Sequence, residues 1–261
     1  MKTISNLNYY KKNKIKIPAL TVYDYSFAKL FEREGIKVML IGDSLGMTIK
    51  GYKNTINVNV EDIIYHTKCV RKGANSAFLI ADMPFMSYTN INSACKNAEK
   101  IIKSGANMVK LEVGFKWVNN IITELTEKFV PVCGHIGLLP QSANLIGKYS
   151  RKSSILKEDQ ILNYALEIEK SGAKLLVLEC VKSSISKTVA SKLKIPVIGV
   201  GSGIDIDGQI LVMQDLIGIT NNPPFFSKNF LIDNGSISKA VQSYIKEVKN
   251  KEFPSKKHII F

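Results

Sequence analysis

The 261 residues include only four cysteines, Cys69, Cys95, Cys133 and Cys180, and no two of them form a CxxC pair. That excludes a disulfide framework and a cysteine-built zinc site, and it reads as reduced thiols in core elements. Histidine is scarcer, with three residues, so a His-rich zinc centre is excluded as well. No apolar run approaches the ~18 residues that a membrane span requires. The N-terminal lysines have no hydrophobic stretch behind them, so no signal peptide is expected and the expected location is the cytoplasm.

Acidic residues are also few, 22 Asp and Glu against 36 Lys and Arg, for a formal net charge of +14. Such a balance can mark a nucleic-acid or membrane-surface binder. Here the lysines are spread along the chain and are densest at its two ends, at Lys11, Lys12, Lys14 and Lys16 and again at Lys246, Lys249, Lys251, Lys256 and Lys257. With Lys, Asn and Ile all abundant, the charge reads as compositional drift. Small anionic partners are expected, and neither nucleic acid nor membrane.

What is present is ordinary for a globular protein: 45% hydrophobic and 22% charged residues, which rules out disorder, collagen and coiled coil. Short apolar runs alternate with longer amphipathic ones. Strands are expected at Ala19–Asp24, Val38–Asp43, Ala77–Asp82, Met108–Glu112, Pro131–Gly137, Lys174–Glu179, Pro196–Gly201 and Ile210–Gln214. For the last, Gly208–Asp215 reads equally well as a short helix. Helices are expected at Ser26–Glu34, Val60–Lys72, Asn92–Ser104, Lys116–Lys128, Lys157–Lys170, Ser183–Lys192 and Ser236–Lys249. Gly35, Gly73, Gly105 and Gly172 end several of them as left-handed caps.

Alternating strand and helix implies parallel strands with crossover helices. Eight repeats favour an α/β fold of the closed (β/α)8 TIM-barrel kind, with additional terminal helices. The open doubly wound alternative lacks its glycine-rich turn, because the first strand runs into Tyr23-Asp24-Tyr25-Ser26. With no linker rich in Pro, Gly or Ser, residues 1–261 are expected to form a single catalytic domain.

Chemistry gathers where the strands end. Strand two ends in Asp43-Ser44 and strand three in Asp82; strand four carries Lys110 and Glu112, strand five His135 and strand six Glu179. In a barrel these ends meet at the face that holds the active site. Residues 110 and 112 point to the same side of a strand, with Leu111 facing the helices. They read either as an internal ion pair or as a lysine for an anionic substrate beside a carboxylate for a metal. Asp43 and Asp82 nearby favour the second. Three carboxylates without a thiolate form a hard oxygen site suited to Mg²⁺. An ion on the keto oxygen of a 2-oxo acid would stabilise an enolate. Glu179 is then the candidate base, or else a structural hydrogen-bond acceptor. Gly199-Val200-Gly201-Ser202-Gly203 is too general to claim as a phosphate site, and His66 and His258 read as ordinary residues.

Several segments resemble one family. They are Tyr23-Asp24-Tyr25-Ser26-Phe27-Ala28, Gly42-Asp43-Ser44-Leu45-Gly46-Met47 and Ala81-Asp82-Met83-Pro84-Phe85-Met86. Further matches are Gly105-Ala106-Asn107-Met108-Val109-Lys110-Leu111-Glu112 and Pro131-Val132-Cys133-Gly134-His135-Ile136-Gly137-Leu138. Leu176-Val177-Leu178-Glu179-Cys180 and Asp207-Gly208-Gln209-Ile210-Leu211-Val212 complete the set. Together they look like ketopantoate hydroxymethyltransferase, from about residue 19 to near the C-terminus.

The resemblance implies transfer of a one-carbon unit from 5,10-methylenetetrahydrofolate to 3-methyl-2-oxobutanoate, giving 2-dehydropantoate on the route to pantothenate. By matching positions, Asp43, Asp82 and Glu112 would hold Mg²⁺. Asp43, Ser44, Asp82 and Lys110 would bind the oxo acid, His135 would line the site and Glu179 would accept the proton. The resemblance also implies a cytoplasmic homodecamer of two five-membered rings. One stretch departs from the family: Tyr149 is followed by Ser150-Arg151-Lys152-Ser153-Ser154-Ile155, slightly shorter than the usual Val-Gln-Gly-Arg-like segment and without its glycine. A loop over the barrel mouth is expected there.

Two rivals remain. Phosphoenolpyruvate mutase and isocitrate lyase relatives also bind Mg²⁺-enolates on related barrels, but no catalytic-cysteine segment of the lyase kind is present. A non-enzymatic basic binding protein on the same fold would be expected to lose the mouth carboxylates, and every matched residue is kept.

Overall fold

The computed structural model describes residues 3–147 and 155–260. Eight parallel strands close on themselves in sequence order: β1 (Ile17–Thr21), β2 (Val38–Ile41), β3 (Phe78–Asp82), β4 (Met108–Glu112), β5 (Val132–Gly137), β6 (Leu175–Glu179), β7 (Val197–Val200) and β8 (Gly208–Leu211). β1 pairs with both β2 and β8, which makes the barrel complete. Nearly every strand residue is buried, because one face packs into the barrel and the other against helices.

The elements follow local chemistry. Asp24 caps α2 (Tyr25–Glu34) by accepting from the Phe27 N–H at 2.9 Å. Asn59 opens α4 (Val60–Gly73), which follows the short α3 (Leu45–Thr48), through a reciprocal capping box with Asp62. Asn90 does the same with Ser93 for α5 (Ile91–Lys103). That helix buries Ala94, Ala98 and Ile101, a single stripe at helical spacing. α6 (Trp117–Glu127), α7 (Ala143–Ile146), α8 (Glu158–Lys170) and α9 (Ser183–Lys192) continue the outer layer.

Four expectations need correction. β1 starts at Ile17 and stops at Thr21, so Val22–Asp24 is outside it; Pro18 pairs only with Gln209 of β8, and pairing with β2 begins at Ala19. β8 occupies Gly208–Leu211, ahead of the expected Ile210–Gln214, and a separate turn of helix, α10 (Met213–Leu216), follows it. Gly35, Gly105 and Gly172 take positive φ, but Gly73 does not. Gly73 is the last residue of α4, where an added Cβ would stand 2.3 Å from the Tyr25 carbonyl oxygen, so it is close packing that requires glycine. Finally, the bounds of most helices move by a residue, since caps rather than periodicity set them.

The terminal helices brace the barrel from outside its mouth. An N-terminal α1 (Ile4–Lys12) places Lys11 on Asp207, just before β8, at 2.7 Å. Near the other end, α11 (Leu231–Asn234) leads into α12 (Ile237–Lys249), which buries Ala240, Val241, Tyr244, Ile245 and Val248. The Tyr244 hydroxyl lies 2.9 Å from the carbonyl oxygens of both Ala19 and Gln209, on the seam between β1 and β8. No helix among the described residues is long and apolar enough to cross a membrane. None of the four cysteines is in a disulfide, and Cys133 is buried while the others are partly so.

Candidate active site

Strand register assembles the site. β3 and β4 pair Asp82 with Lys110, β4 and β5 pair Glu112 with His135, and β5 and β6 pair Gly137 with Glu179. Paired residues of parallel strands share a face, so these side chains enter the barrel interior, while Leu111 is fully buried in the surrounding core. β2 stops at Ile41, short of the expected Asp43, so Asp43 stands just past the strand, after Gly42, and Ser44 begins the turn into α3. Asp43, Ser44, Asp82, Lys110, Glu112, His135 and Glu179 all line one cavity of about 530 Å³ at the C-terminal mouth.

Asp82 is the hub of the charged side. Its Oδ2 accepts the Asp43 N–H at 2.9 Å and its Oδ1 stands 2.8 Å from Lys110 Nζ. Both partners of that ion pair are almost fully buried. Burial by itself would discourage a charged lysine, but Asp82, Asp43 and Glu112 outweigh it and hold the Lys110 ammonium above its ordinary pKa. Lys110 Nζ also lies 3.5 Å from His135 Nδ1. Burial and then the Lys110 charge push His135 well below its usual range, so the ring is neutral.

Glu179 sits opposite. One of its oxygens is 3.4 Å from His135 Nε2, and no hydrogen bond reaches its carboxylate among the described residues. Burial raises its pKa to about 7. The residue after it, Cys180, has φ 53°, a left-handed conformation that costs a non-glycine residue about 1–2 kcal/mol. The chain turns sharply there and leaves Glu179 at the cavity wall.

The carboxylates crowd one another. Burial, and after it the charge of Asp82, pushes Asp43 up to about 7. Burial and the Asp43 charge push Glu112 well above the carboxylate range. Glu112 Oε1 is buried without a hydrogen-bond partner among the described residues. This donor set, hard oxygens with excess negative charge, fits a divalent cation of the magnesium type. No three His, Cys, Asp or Glu side chains among the described residues stand close enough to hold an ion jointly. The residues whose chemistry suits such an ion are Asp43, Asp82 and Glu112, which line the same cavity.

Gln141 and Tyr88 belong to this network and have no signal in the strand pattern. The Gln141 side-chain amide donates to Asp43 Oδ2 and to the Met83 carbonyl, both at 2.9 Å, and its backbone N–H donates to Glu112 Oε2 at 3.0 Å. Its carbonyl oxygen accepts from the Tyr88 hydroxyl at 2.7 Å. Ser44 is held in turn by Tyr23, oxygen to oxygen at 2.8 Å, and His66 Nδ1 lies 2.6 Å from the Tyr23 carbonyl. His66 thus supports the site from behind, whereas His258 lies in the tail beside Ser255. In the glycine-rich stretch, Ser202 Oγ donates to the Leu178 carbonyl and accepts from the Val181 N–H, which fastens the turn after β7 to β6.

A second cavity of about 340 Å³ shares Glu112 and Gln141 with the first and is walled by Phe85, Phe115 and the stacked rings of Tyr88 and Trp117. The departure after Tyr149 falls on residues 148–154, outside the described residues; only Ile155, on the rim of this cavity, is described.

With this geometry in view, the family model described as ketopantoate hydroxymethyltransferase matches residues 1–256. A protein of Buchnera aphidicola subsp. Schizaphis graminum named 3-methyl-2-oxobutanoate hydroxymethyltransferase is 53% identical over 258 residues, covering 98% of each chain. The chain belongs to the ketopantoate hydroxymethyltransferase family. It is a transferase of that family, and the Proteus mirabilis protein of the same name is 52% identical over 98% of this chain and 97% of its own. Among solved structures, phosphonopyruvate hydrolase in complex with oxalate and Mg superposes with a TM-score of 0.65 at 14% identity, over 99% of this chain and 93% of the other. A phosphoenolpyruvate phosphomutase from Streptomyces platensis subsp. rosaceus gives 0.64 at 12%, over 97% and 99%. At these identities they report the barrel fold alone.

Proposed function

We propose that this member of the ketopantoate hydroxymethyltransferase family transfers a one-carbon unit from 5,10-methylenetetrahydrofolate to carbon 3 of 3-methyl-2-oxobutanoate, giving 2-dehydropantoate. The observation that carries the mechanism is Glu179: a carboxylate that no hydrogen-bond donor reaches among the described residues, with its pKa at about 7, lining the same cavity as Lys110. Lys110 binds the carboxylate of the oxo acid, and Ser44 and Asp43 offer it further polar contacts. Glu179 takes the proton from carbon 3, for which a base poised near neutrality is best matched. The resulting carbon nucleophile attacks the methylene carbon of the folate, forming the new carbon–carbon bond. As that bond forms, the carbon's bond to one of its two folate nitrogens breaks and that nitrogen takes up a proton; water then displaces the second nitrogen, so that the carbon stays on the product as its hydroxymethyl group and tetrahydrofolate leaves. Neutral His135 lies between Lys110 and Glu179 and keeps the acid-binding and proton-accepting sides apart.

Asp43, Asp82 and Glu112 would hold Mg²⁺, and when bound the ion would supply a Lewis acid for the keto oxygen. Family membership supports the further reading of residues 1–261 as one catalytic unit, cytoplasmic, and assembled as a homodecamer.

The test is deuterium exchange at carbon 3 of 3-methyl-2-oxobutanoate, followed by NMR with Mg²⁺, with and without tetrahydrofolate, on the wild type and Glu179→Gln. Metal-dependent exchange that the variant loses is the expected result. No exchange in the wild type under any metal or folate condition overturns the proposal.

A further inference from the structure

The mouth of the barrel has two unlike arcs. From β2 to β6 it carries the charged groups described above. From β7 through β8 to β1 its cavity wall is mainly apolar, with Val200, Ile210, Leu211 and the edge-to-face pair Phe225 and Phe226, whose ring centres are 5.4 Å apart, and Thr21 and Asn222 are uncharged polar members of the same lining. Asp215 interrupts this apolar arc. It lies on α10, lines the same cavity and is only 5% exposed. Thr220 donates to its Oδ1 at 2.5 Å, and Oδ2 accepts no hydrogen bond among the described residues. No Lys, Arg or His among them forms an ion pair with it, and burial raises its pKa. The backbone under it is fixed, because the Met213 N–H donates to Thr21 Oγ1 at 3.1 Å.

The oxygen without a partner faces the cavity, where a ligand that displaces water from it must supply donors in return. The cavity of about 530 Å³ is in the range of drug-sized ligands, far more than a branched five-carbon acid fills. The space left over is bounded by aromatic rings, and a flat heterocycle lies well against such walls. A carboxylate presents two acceptor oxygens side by side, which match a ring N–H next to an exocyclic amino group. The 2-amino-4-oxopyrimidine edge of a reduced pterin has that donor pair.

We propose that Asp215 recognises the aminopyrimidinone edge of the folate cosubstrate, with Phe225 and Phe226 against its ring, a reading that rests on the transferase function proposed above. This places the one-carbon donor on the β7–β8–β1 arc and the oxo acid on the β2–β6 arc of one cavity.

The experiment is calorimetric titration of the wild type and Asp215→Asn with tetrahydrofolate, with its 2-desamino analogue, and separately with the oxo acid plus Mg²⁺. The expected result is a loss of about tenfold to a hundredfold in tetrahydrofolate affinity for the variant, with oxo-acid affinity changed less than about twofold. The wild type should lose a similar factor on going to the analogue, and the variant should not distinguish the two ligands. The analogue comparison needs only the wild type, so it decides the matter even if the variant does not fold. Equal wild-type affinity for both folates, or unchanged tetrahydrofolate affinity in Asp215→Asn, overturns the proposal. Metal-dependent exchange of the oxo acid without any folate binding overturns this inference alone; absence of both sinks the transferase reading and this one with it.

Discussion

Gln141 ties Asp43 to Glu112: its side-chain amide donates to Asp43 Oδ2 at 2.9 Å while its backbone N–H donates to Glu112 Oε2 at 3.0 Å. Glu112 ends β4 while Asp43 lies in the turn after β2, and this one residue ties the two together. Gln141→Leu keeps the backbone bond to Glu112 but frees Asp43 Oδ2 and the Met83 carbonyl, and leaves the Tyr88 hydroxyl only its longer, 3.4 Å bond to the Glu112 carbonyl. Each buried group left unsatisfied costs about 1–3 kcal/mol. Divalent-cation affinity is expected to fall by about tenfold or more, measured by Mn²⁺ titration with electron paramagnetic resonance. Unchanged cation binding would show that Asp43 is held without Gln141.

Glu179 gives a pH prediction with a defined sign. Its folded pKa of about 7 lies above the ordinary carboxylate value of 4.5. The protonated form is therefore favoured by folding: the stabilisation is full below about pH 4.5 and is lost as pH rises through about 7. Glu179→Gln removes that dependence, so its stability should fall less steeply than that of the wild type between about pH 5 and pH 8 in denaturant titrations. Activity runs the other way, because the base must be ionised. The exchange rate of the oxo acid should climb to a plateau above about pH 7, and Glu179→Gln should lower it by about a hundredfold or more. A rate that falls with pH across this range would rule Glu179 out as the base.

The barrel could be read from short apolar runs alternating with amphipathic helices, and its charged mouth from the period of two within a strand. Lys110, Leu111 and Glu112 alternate inward, outward, inward, and the strand imposes that alternation whatever surrounds it. Gln141, Tyr88 and Asp215 could not be read in this way. They follow strand ends in loops and short turns, where no period applies and tertiary hydrogen bonds set the direction of each side chain. The end of β8 shows the same limit: Ile210 and Leu211 are strand while Met213 begins a helix, and the apolar run through them carries no mark of the change. Gly73 was legible as a helix end but not as a close contact with the Tyr25 carbonyl, because that contact exists only once α2 and α4 have packed.

Tyr244 closes the barrel where the chain's first and last strands meet. Its hydroxyl approaches the carbonyls of Ala19 on β1 and Gln209 on β8, and its ring packs edge-on against Phe230. Tyr244→Phe keeps the ring and removes the only side-chain donor at that seam among the described residues. The expected loss is about 1–2 kcal/mol of stability, read as a lower urea midpoint with an unchanged slope. Turnover measured well below the transition should stay within about twofold, since no atom of Tyr244 reaches the cavity.

Lys110 has two roles that a single substitution can separate. It is the one lysine lining the cavity among the described residues, and it neutralises part of the charge of Asp82, Asp43 and Glu112. Lys110→Met fills the same space but leaves those carboxylates without their buried cation, a change that typically costs about 3–5 kcal/mol. Part of that loss should be recovered by Mg²⁺, because an ion bound by the aspartates restores positive charge at the same place; the melting temperature of the variant should rise with Mg²⁺ more than that of the wild type. Activity should not be recovered along with it. The carboxylate of the oxo acid would still lack its ammonium partner, so KM should remain raised by about tenfold or more. If Mg²⁺ restored both stability and KM, Lys110 would be a charge balance for the aspartates and nothing more, and the binding of the acid would have to be assigned to Ser44 and the cation.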